Sequence, residues 1–219
     1  MSTGPRPARP SVRPARAGDP EEIDRIYDIC LRTANSGRDA TGLVAEPRLL
    51  GDIFAGPYLA CSPDLAWVLA PGEVEGAPSR PVGYIVAVAD TAAFERRLDR
   101  EWWPRVRART ADRPVRPGTP DARLRSFIDD PPRTPAEITG RYPAHFHVDL
   151  LPEAQGDGNG RRLVTTVLDA LRDRGVPGVH LGVGAANANA LGFYDHVGFR
   201  MLDDRPHTKI LGMRLDPRS

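Results

Sequence analysis

Apolar residues return at helical spacing in some stretches of the chain and alternate with polar ones in others. Ile23, Ile26, Tyr27, Cys30 and Leu31 give a first helix one buried face. Asp19-Pro20-Glu21-Glu22 marks its start: an N-cap aspartate, a proline at the first position and acids in the first turn. Pro47 to about Leu59, with Leu49, Leu50, Ile53 and Phe54, reads as a second helix. Leu163, Val164, Val167, Leu168 and Leu171 set a third over Gly160 to Asp173, closed by Gly175. A shorter one spans Asn187 to Val197. The spacing predicts strands at Val12 to Ala15, Leu65 to Ala70, Val82 to Ala89, His145 to Leu151, Val179 to Val183, Phe199 to Leu202 and Lys209 to Leu215. Within His145 to Leu151, Phe146, Val148 and Leu150 face one side. His145, His147, Asp149 and Leu151 face the other, because strand side chains alternate.

The resulting order, β-α-α-β-β-insertion-β-α-β-α-β-β, predicts an α/β sandwich. Its sheet is mostly antiparallel, with one parallel step at the β-α-β crossover. Between the third and fourth strands the pattern gives way to arginine, tryptophan and proline over residues 91–142. Short helices are expected there near 92–109, 121–128 and 135–139. A connection of this length reads as a functional insertion. Met1 to about Ser11 lacks apolar residues to bury and reads as a disordered tail, leaving 12–219 as one domain that carries the insertion.

With 30 basic and 29 acidic residues the net charge is +1, so no global field draws in nucleic acid or an anionic membrane. The chain has no run of about 18 apolar residues and no apolar secretory stretch near Met1, which places the expectation in the cytoplasm. Cys30 and Cys61 lack C-x-x-C spacing and read as buried free thiols. The association state is left open between monomer and homodimer.

Two stretches carry chemistry. Gln155-Gly156-Asp157-Gly158-Asn159-Gly160 precedes the third helix, where glycines admit a phosphate to the backbone and the helix start supplies N–H donors. Gly156, Gly158 and Gly160 stand on alternate positions, which is not the dinucleotide fingerprint, and the chain has no G-K-S/T triplet. Asn187 to Phe199 then reads N-x-x-A-x-x-F-Y-x-x-x-G-F. The pair points to coenzyme A.

In these residues the chain resembles the GNAT acetyltransferase superfamily. The signature Q/R-x-x-G-x-G/A falls on Gln155, Gly158 and Gly160, and the second signature on Asn187, Ala190, Phe193, Tyr194, Gly198 and Phe199. Segments such as PRLLGDIFAG, GYIVAVADTAAF and EWWP are similar to the acetyltransferase-like domain at the C-terminus of the animal O-GlcNAc-removing hydrolase (O-GlcNAcase). The insertion falls at the same place. The resemblance implies a GNAT-like α/β/α sandwich that moves an acetyl group from acetyl-CoA to an amine by direct transfer. The alternative is a CoA-binding or protein-interaction module without turnover. Donor contacts are implied at Leu150, Leu151, Gln155, Gly156, Asp157, Gly158, Asn159, Gly160, Arg161, Asn187 and Tyr194. Arg161 and Arg162 offer guanidinium forks to phosphate oxygens. The resemblance also implies main-chain N–H groups near Leu150 as oxyanion donors, and Tyr194 as the proton source for the leaving thiolate. The incoming amine needs a base, and Asp149, His147 and His145 are the candidates on one strand face. Tyr194 is also spaced to pack with Leu191 and Val197, and Asp149 equally suits a substrate anchor. His145 and His147 have metal-ligand spacing without an evident third ligand, so no metal is expected. Trp102 and Trp103 are candidates for an acceptor pocket.

Overall fold

The computed structural model describes residues 10–71 and 79–216. The expected tail lies outside them up to residue 9, as does most of the Pro/Gly-rich connection before Val82. Ser11, expected in the tail, belongs to the first strand.

Among the described residues seven strands form one sheet in the order β1-β2-β3-β4-β5-β7-β6. They are β1 Ser11–Pro14, β2 Ala66–Ala70, β3 Gly83–Val88, β4 Ala144–Leu150, β5 Gly178–Gly184, β6 Arg200–Asp204 and β7 Thr208–Arg214. All pairings are antiparallel except β4 with β5. The sandwich and the single parallel step therefore agree with the element order expected from the pattern.

Nine helices are found among the described residues. On one face lie α1 (Pro20–Thr33), α2 (Arg48–Phe54), α3 (Gly56–Cys61), α4 (Thr91–Glu101), α5 (Trp103–Thr110) and α6 (Pro120–Asp129). Their core joins Ile26, Ile29, Leu49, Tyr84, Trp103 and Ile128. The other face holds α8 (Asn159–Asp173) and α9 (Ala188–Val197), with Phe146, Leu163, Val167, Leu171, Tyr194 and Phe199 buried together. The short α7 (Ala136–Thr139) leads into β4. None of these helices is long and apolar enough to cross a membrane.

Asp19 caps α1 as expected, its carboxylate accepting from Glu21 N–H at 3.0 Å. The helix expected over Pro47 to Leu59 is divided at Ala55. Pro57 has no N–H to extend α2 and instead sits in the first turn of α3. Trp102 divides the first helix of the insertion in the same way, with Pro104 opening α5. Two glycines let these segments close on α1. A Cβ on Gly51 would stand 2.1 Å from Tyr27 Cδ1, and one on Gly56 2.0 Å from the Tyr27 hydroxyl.

Asp52 ties the insertion to this layer. Its buried carboxylate accepts from Tyr27 Oη at 3.1 Å and pairs with Arg109, while its carbonyl accepts from Trp102 Nε1 at 2.9 Å. Cys30 is buried as expected. Cys61 is not, and remains partly exposed at the end of α3.

Candidate functional site

Strand β4 organises the site. It pairs with β3 from Val88↔His145 to Gly83↔Leu150, but with β5 only at Ala144↔Val179 and His145↔His180. Beyond that point the two parallel strands diverge. The Leu151 N–H donates to Val82 on the β3 side at 2.9 Å. Main-chain groups alternate along an extended strand, so the N–H groups of Leu150 and Val148 point the other way, into the opening. A cleft of about 1810 Å³ runs through it.

At one end of the cleft is the glycine loop. Gly156, Asp157 and Gly158 all have left-handed backbone, with φ of 85°, 46° and 72°. A glycine takes that conformation without steric cost, and a Cβ on Gly156 or Gly158 would meet nothing within 4 Å. Backbone conformation and not crowding therefore accounts for glycine at these two positions. Among the described residues no main-chain carbonyl accepts from the N–H of Gly156, Gly158, Gly160 or Arg161. These donors stand at the N-terminus of the 15-residue α8, where the helix dipole favours an anion. Gly160 sits against the ring of Phe193, which a Cβ would approach to 3.4 Å. Asp157 is exposed at the turn. A smaller pocket of about 560 Å³ flanks the loop on its outer side, lined by Arg161, Arg162, Thr165 and Val12.

Three of the expected donor contacts are occupied otherwise. Asn159 is buried and pins the loop. Its amide donates to Ala154 O at 2.9 Å, its carbonyl takes Arg162, and its N–H donates to Gly156 O at 3.0 Å. Arg162 is thereby turned away from the role expected for it, while Arg161 remains exposed. Leu151 has its N–H on Val82 and its side chain fully buried in the core beneath α1 and α2. Two further residues are partly engaged. Gln155 Nε2 donates to Leu150 O at 3.1 Å, bracing the strand end, and Asn187 Oδ1 caps α9 on Ala190 N–H at 3.1 Å.

Polar side chains of β4 gather on its other face, as the alternation predicts. Asp149 Oδ2 accepts from the Tyr84 hydroxyl at 2.7 Å and lies 3.0 Å from His147 Nε2. The ring of His147 stacks on Phe54 at 5.4 Å and 22°. Its side chain is 32 % exposed, against 17 % for Asp149, so this pair is open to the cleft. No hydrogen-bond partner of His147 Nδ1 occurs among the described residues. Cys30 reaches the same spot from α1. Its Sγ, a His147 ring nitrogen and an Asp149 oxygen lie within 4.8 Å of one another. Burial pushes the Cys30 thiol up, with the Asp149 charge adding to it.

His145, the third candidate base, is placed differently. Tyr58 Oη meets its Nε2 at 2.8 Å and Thr91 Oγ1 its Nδ1 at 2.7 Å. Burial, followed by the neighbouring His180 and His147, lowers its pKa to about 3, so the ring stays neutral with both nitrogens engaged. That geometry corrects the expectation: His145 has no lone pair left to offer an incoming amine. His180 is similarly held, its Nδ1 2.7 Å from Tyr142 O.

Tyr194 lies in the wall formed by α9, its ring among Phe146, Phe193 and Phe199 at centroid distances of 6.1, 5.2 and 5.5 Å. Its hydroxyl has no hydrogen-bond partner among the described residues, and the residue lines the cleft. Burial, then the charge of Asp149, raises the phenol above its ordinary range and keeps the proton on it. Of the two tryptophans, Trp103 lines the cleft and Trp102 packs against Gly56.

Tyr84, Cys30, Tyr58, Thr91 and Phe54 were not foreseen as site residues. Only Tyr84 left a signal, a phenol inside the apolar run VGYIVAV, where a buried hydroxyl needs a partner.

Comparison with known proteins gives a consistent picture. Residues 124–199 match the model of the acetyltransferase (GNAT) family. The crystal structure of SsHAT is similar over 95 % of this chain and 99 % of that one, with 37 % identity and a TM-score of 0.85. The NatC complex, solved with Gag peptide and CoA, shares the fold at 15 % identity and a TM-score of 0.56, over 95 % of this chain and 99 % of that one. Mycothiol acetyltransferase of Beutenbergia cavernae is 52 % identical over 67 residues, which is 31 % of this chain and 22 % of that protein. The match thus spans about a fifth of that curated relative's length.

Proposed function

The chain belongs to the acetyltransferase (GNAT) family, and from that premise we propose that it is an acetyl-CoA-dependent N-acetyltransferase acting by direct transfer. The observation that carries this reading is the divergence of β4 from β5, with a donor-rich glycine loop at one end and the His147–Asp149 pair beside it. The pyrophosphate of CoA binds the N–H groups at the start of α8, with Arg161 at its edge. The acyl arm lies in the opening, where the Leu150 N–H, and Val148 N–H behind it, receive the developing oxyanion.

His147 is the base in this scheme. When its Nε2–H donates to Asp149, Nδ1 carries a lone pair that faces the amine. Asp149, fixed by Tyr84, holds the ring in that tautomer. The amine nitrogen attacks the thioester carbon, the C–S bond breaks, and the amine proton passes to His147. Tyr194 gives its proton to the departing thiolate and regains one from solvent. The acceptor is a small amine or an exposed amino group. Within the family, we propose a relation to the acetyltransferase-like domain of O-GlcNAcase, on the likeness of PRLLGDIFAG and EWWP.

Calorimetry with acetyl-CoA, followed by mass analysis of acetylated products across an amine panel, tests the scheme. Absence of donor binding at millimolar concentration refutes it, and binding without any product makes the chain a non-turnover module. Tyr194→Phe should lower kcat and leave acetyl-CoA affinity unchanged. His147→Gln should lower kcat and leave acetyl-CoA affinity unchanged, and an unchanged kcat moves the base elsewhere.

A further inference from the structure

Cys30 has no part in the transfer scheme, yet its sulfur stands beside the two residues that do the proton work. Three different ligand types converge there: a sulfur from α1, and an imidazole and a carboxylate from alternate positions of β4, all within 4.8 Å. We propose that Cys30, His147 and Asp149 form a binding site for one borderline-soft divalent cation, of the zinc and cadmium class, with its fourth position open to the cleft.

The ligand set points to that class. A thiolate with an imidazole selects zinc-like ions, whereas magnesium and calcium require oxygen ligands. Around a tetrahedral zinc ion, with bonds of about 2.0–2.3 Å, neighbouring ligand atoms stand about 3.3–3.6 Å apart. His147 Nε2 and Asp149 Oδ2 are already 3.0 Å apart, so an ion between them asks for a few tenths of an ångström of widening. The sulfur has about an ångström to close. Those movements are within the freedom of side-chain torsions.

Charge also balances. A thiolate and a carboxylate offset the two positive charges of the ion, so the occupied site is neutral, which suits a half-buried place. The ion takes the position of the thiol proton, which burial otherwise keeps on the sulfur.

An outer shell is present as well. Tyr84 donates to Asp149 Oδ2 at 2.7 Å and so orients the carboxylate ligand. Phe54 fixes the plane of the His147 ring. Entry is from the cleft, because the histidine and the carboxylate are its open members and the sulfur lies behind them. Occupancy removes the lone pair and the carboxylate from the proton path, so the ion should inhibit acetyl transfer. That consequence rests on the base assignment above; binding of the ion does not.

The test is a cadmium titration of the full chain, freed of metal, with the ultraviolet thiolate-to-cadmium band as readout. One equivalent should produce the band in the natural chain and in Cys61→Ser, which removes the only other thiol. Cys30→Ser should lose it. A band that survives in Cys30→Ser, disappears in Cys61→Ser, or never forms overturns the proposal. If Cys30→Ser does not fold, His147→Ala keeps the sulfur and should weaken cadmium binding at least tenfold; unchanged affinity overturns the proposal. Zinc should suppress product formation in the natural chain and, relative to its own metal-free rate, not in Cys30→Ser. Cadmium binding without inhibition leaves the site standing and refutes His147 as the base.

Discussion

Replacing Tyr84 by phenylalanine removes one oxygen atom from the centre of the site and little else. The ring stays, so no large cavity opens in a side chain that is fully buried. What is lost is the donor to Asp149 Oδ2, at 2.7 Å. A hydrogen bond to a charged group contributes about 1.5–3 kcal/mol net. For a chain of this size each kcal/mol moves the unfolding midpoint by about 2–4 °C, which gives a fall of about 3–12 °C. Among the described residues Asp149 is then left with His147 as its one partner side chain in place of two, and the imidazole loses part of its fixed orientation. If about 1.4 kcal/mol of that loss appears in the transition state, kcat drops about tenfold. The glycine loop lies at the other end of the cleft, so acetyl-CoA affinity should not move. Thermal unfolding followed by circular dichroism reads the first effect, and steady-state rates with donor calorimetry read the second. A variant with the natural midpoint and the natural kcat would refute the argument that Tyr84 holds Asp149 in place.

Gly160→Val should strain the contact between α8 and α9. Its added atoms press on Phe193, already 3.4 Å from a bare Cβ, so a loss of about 1–3 kcal/mol and weaker acetyl-CoA binding are expected, measured by urea unfolding and calorimetry. Gly192→Ala is the contrast: nothing lies within 4 Å of its Cβ, and alanine should gain up to about 1 kcal/mol of helix propensity in the same unfolding assay. Glu22 gives a pH dependence. Burial alone would raise its pKa, but hydrogen bonds from Arg13 and from Arg16 N–H outweigh it and the net shift is downward from 4.5. Its contribution to stability is therefore complete above that value and disappears as pH falls through the lower, folded-state pKa. Urea unfolding of Glu22→Gln should show a deficit at neutral pH that vanishes in acid; a constant deficit would contradict the shift.

Local chemistry made most of the fold legible. The Asp19 cap, the alternation in β4 and the spacing along α8 each depend on residues close in sequence, and each element appears where those signals placed it. The divided helices show the limit: Pro57 and Pro104 were legible as proline but their power to restart a helix depends on the packing of Tyr27 and the tryptophans. For the site, β4 gave the right face for His147 and Asp149. It could not separate His145 from them, because Tyr58 and Thr91, which engage both ring nitrogens, come from α3 and α4. Cys30 was invisible for the same reason, and Tyr84 signalled only that its phenol needs a partner. Their meeting with Asp149 is made by the packing of α1 on the sheet and by the pairing of β3 with β4, and no spacing within the sequence encodes it.

The walls of the cleft have separate origins in the chain. Gly158, Leu150, Asn187 and Tyr194 come from the stretch between β4 and α9, whereas Phe94, Trp103, Phe127 and Arg133 come from the insertion before β4. Asp52 anchors that insertion through Arg109 and Trp102 without touching the glycine loop. Under the proposed transfer scheme the architecture is modular in consequence: exchange of the insertion would retune which acceptors enter, while the donor half keeps its geometry, so such a scaffold would diversify its acceptors by changing one segment.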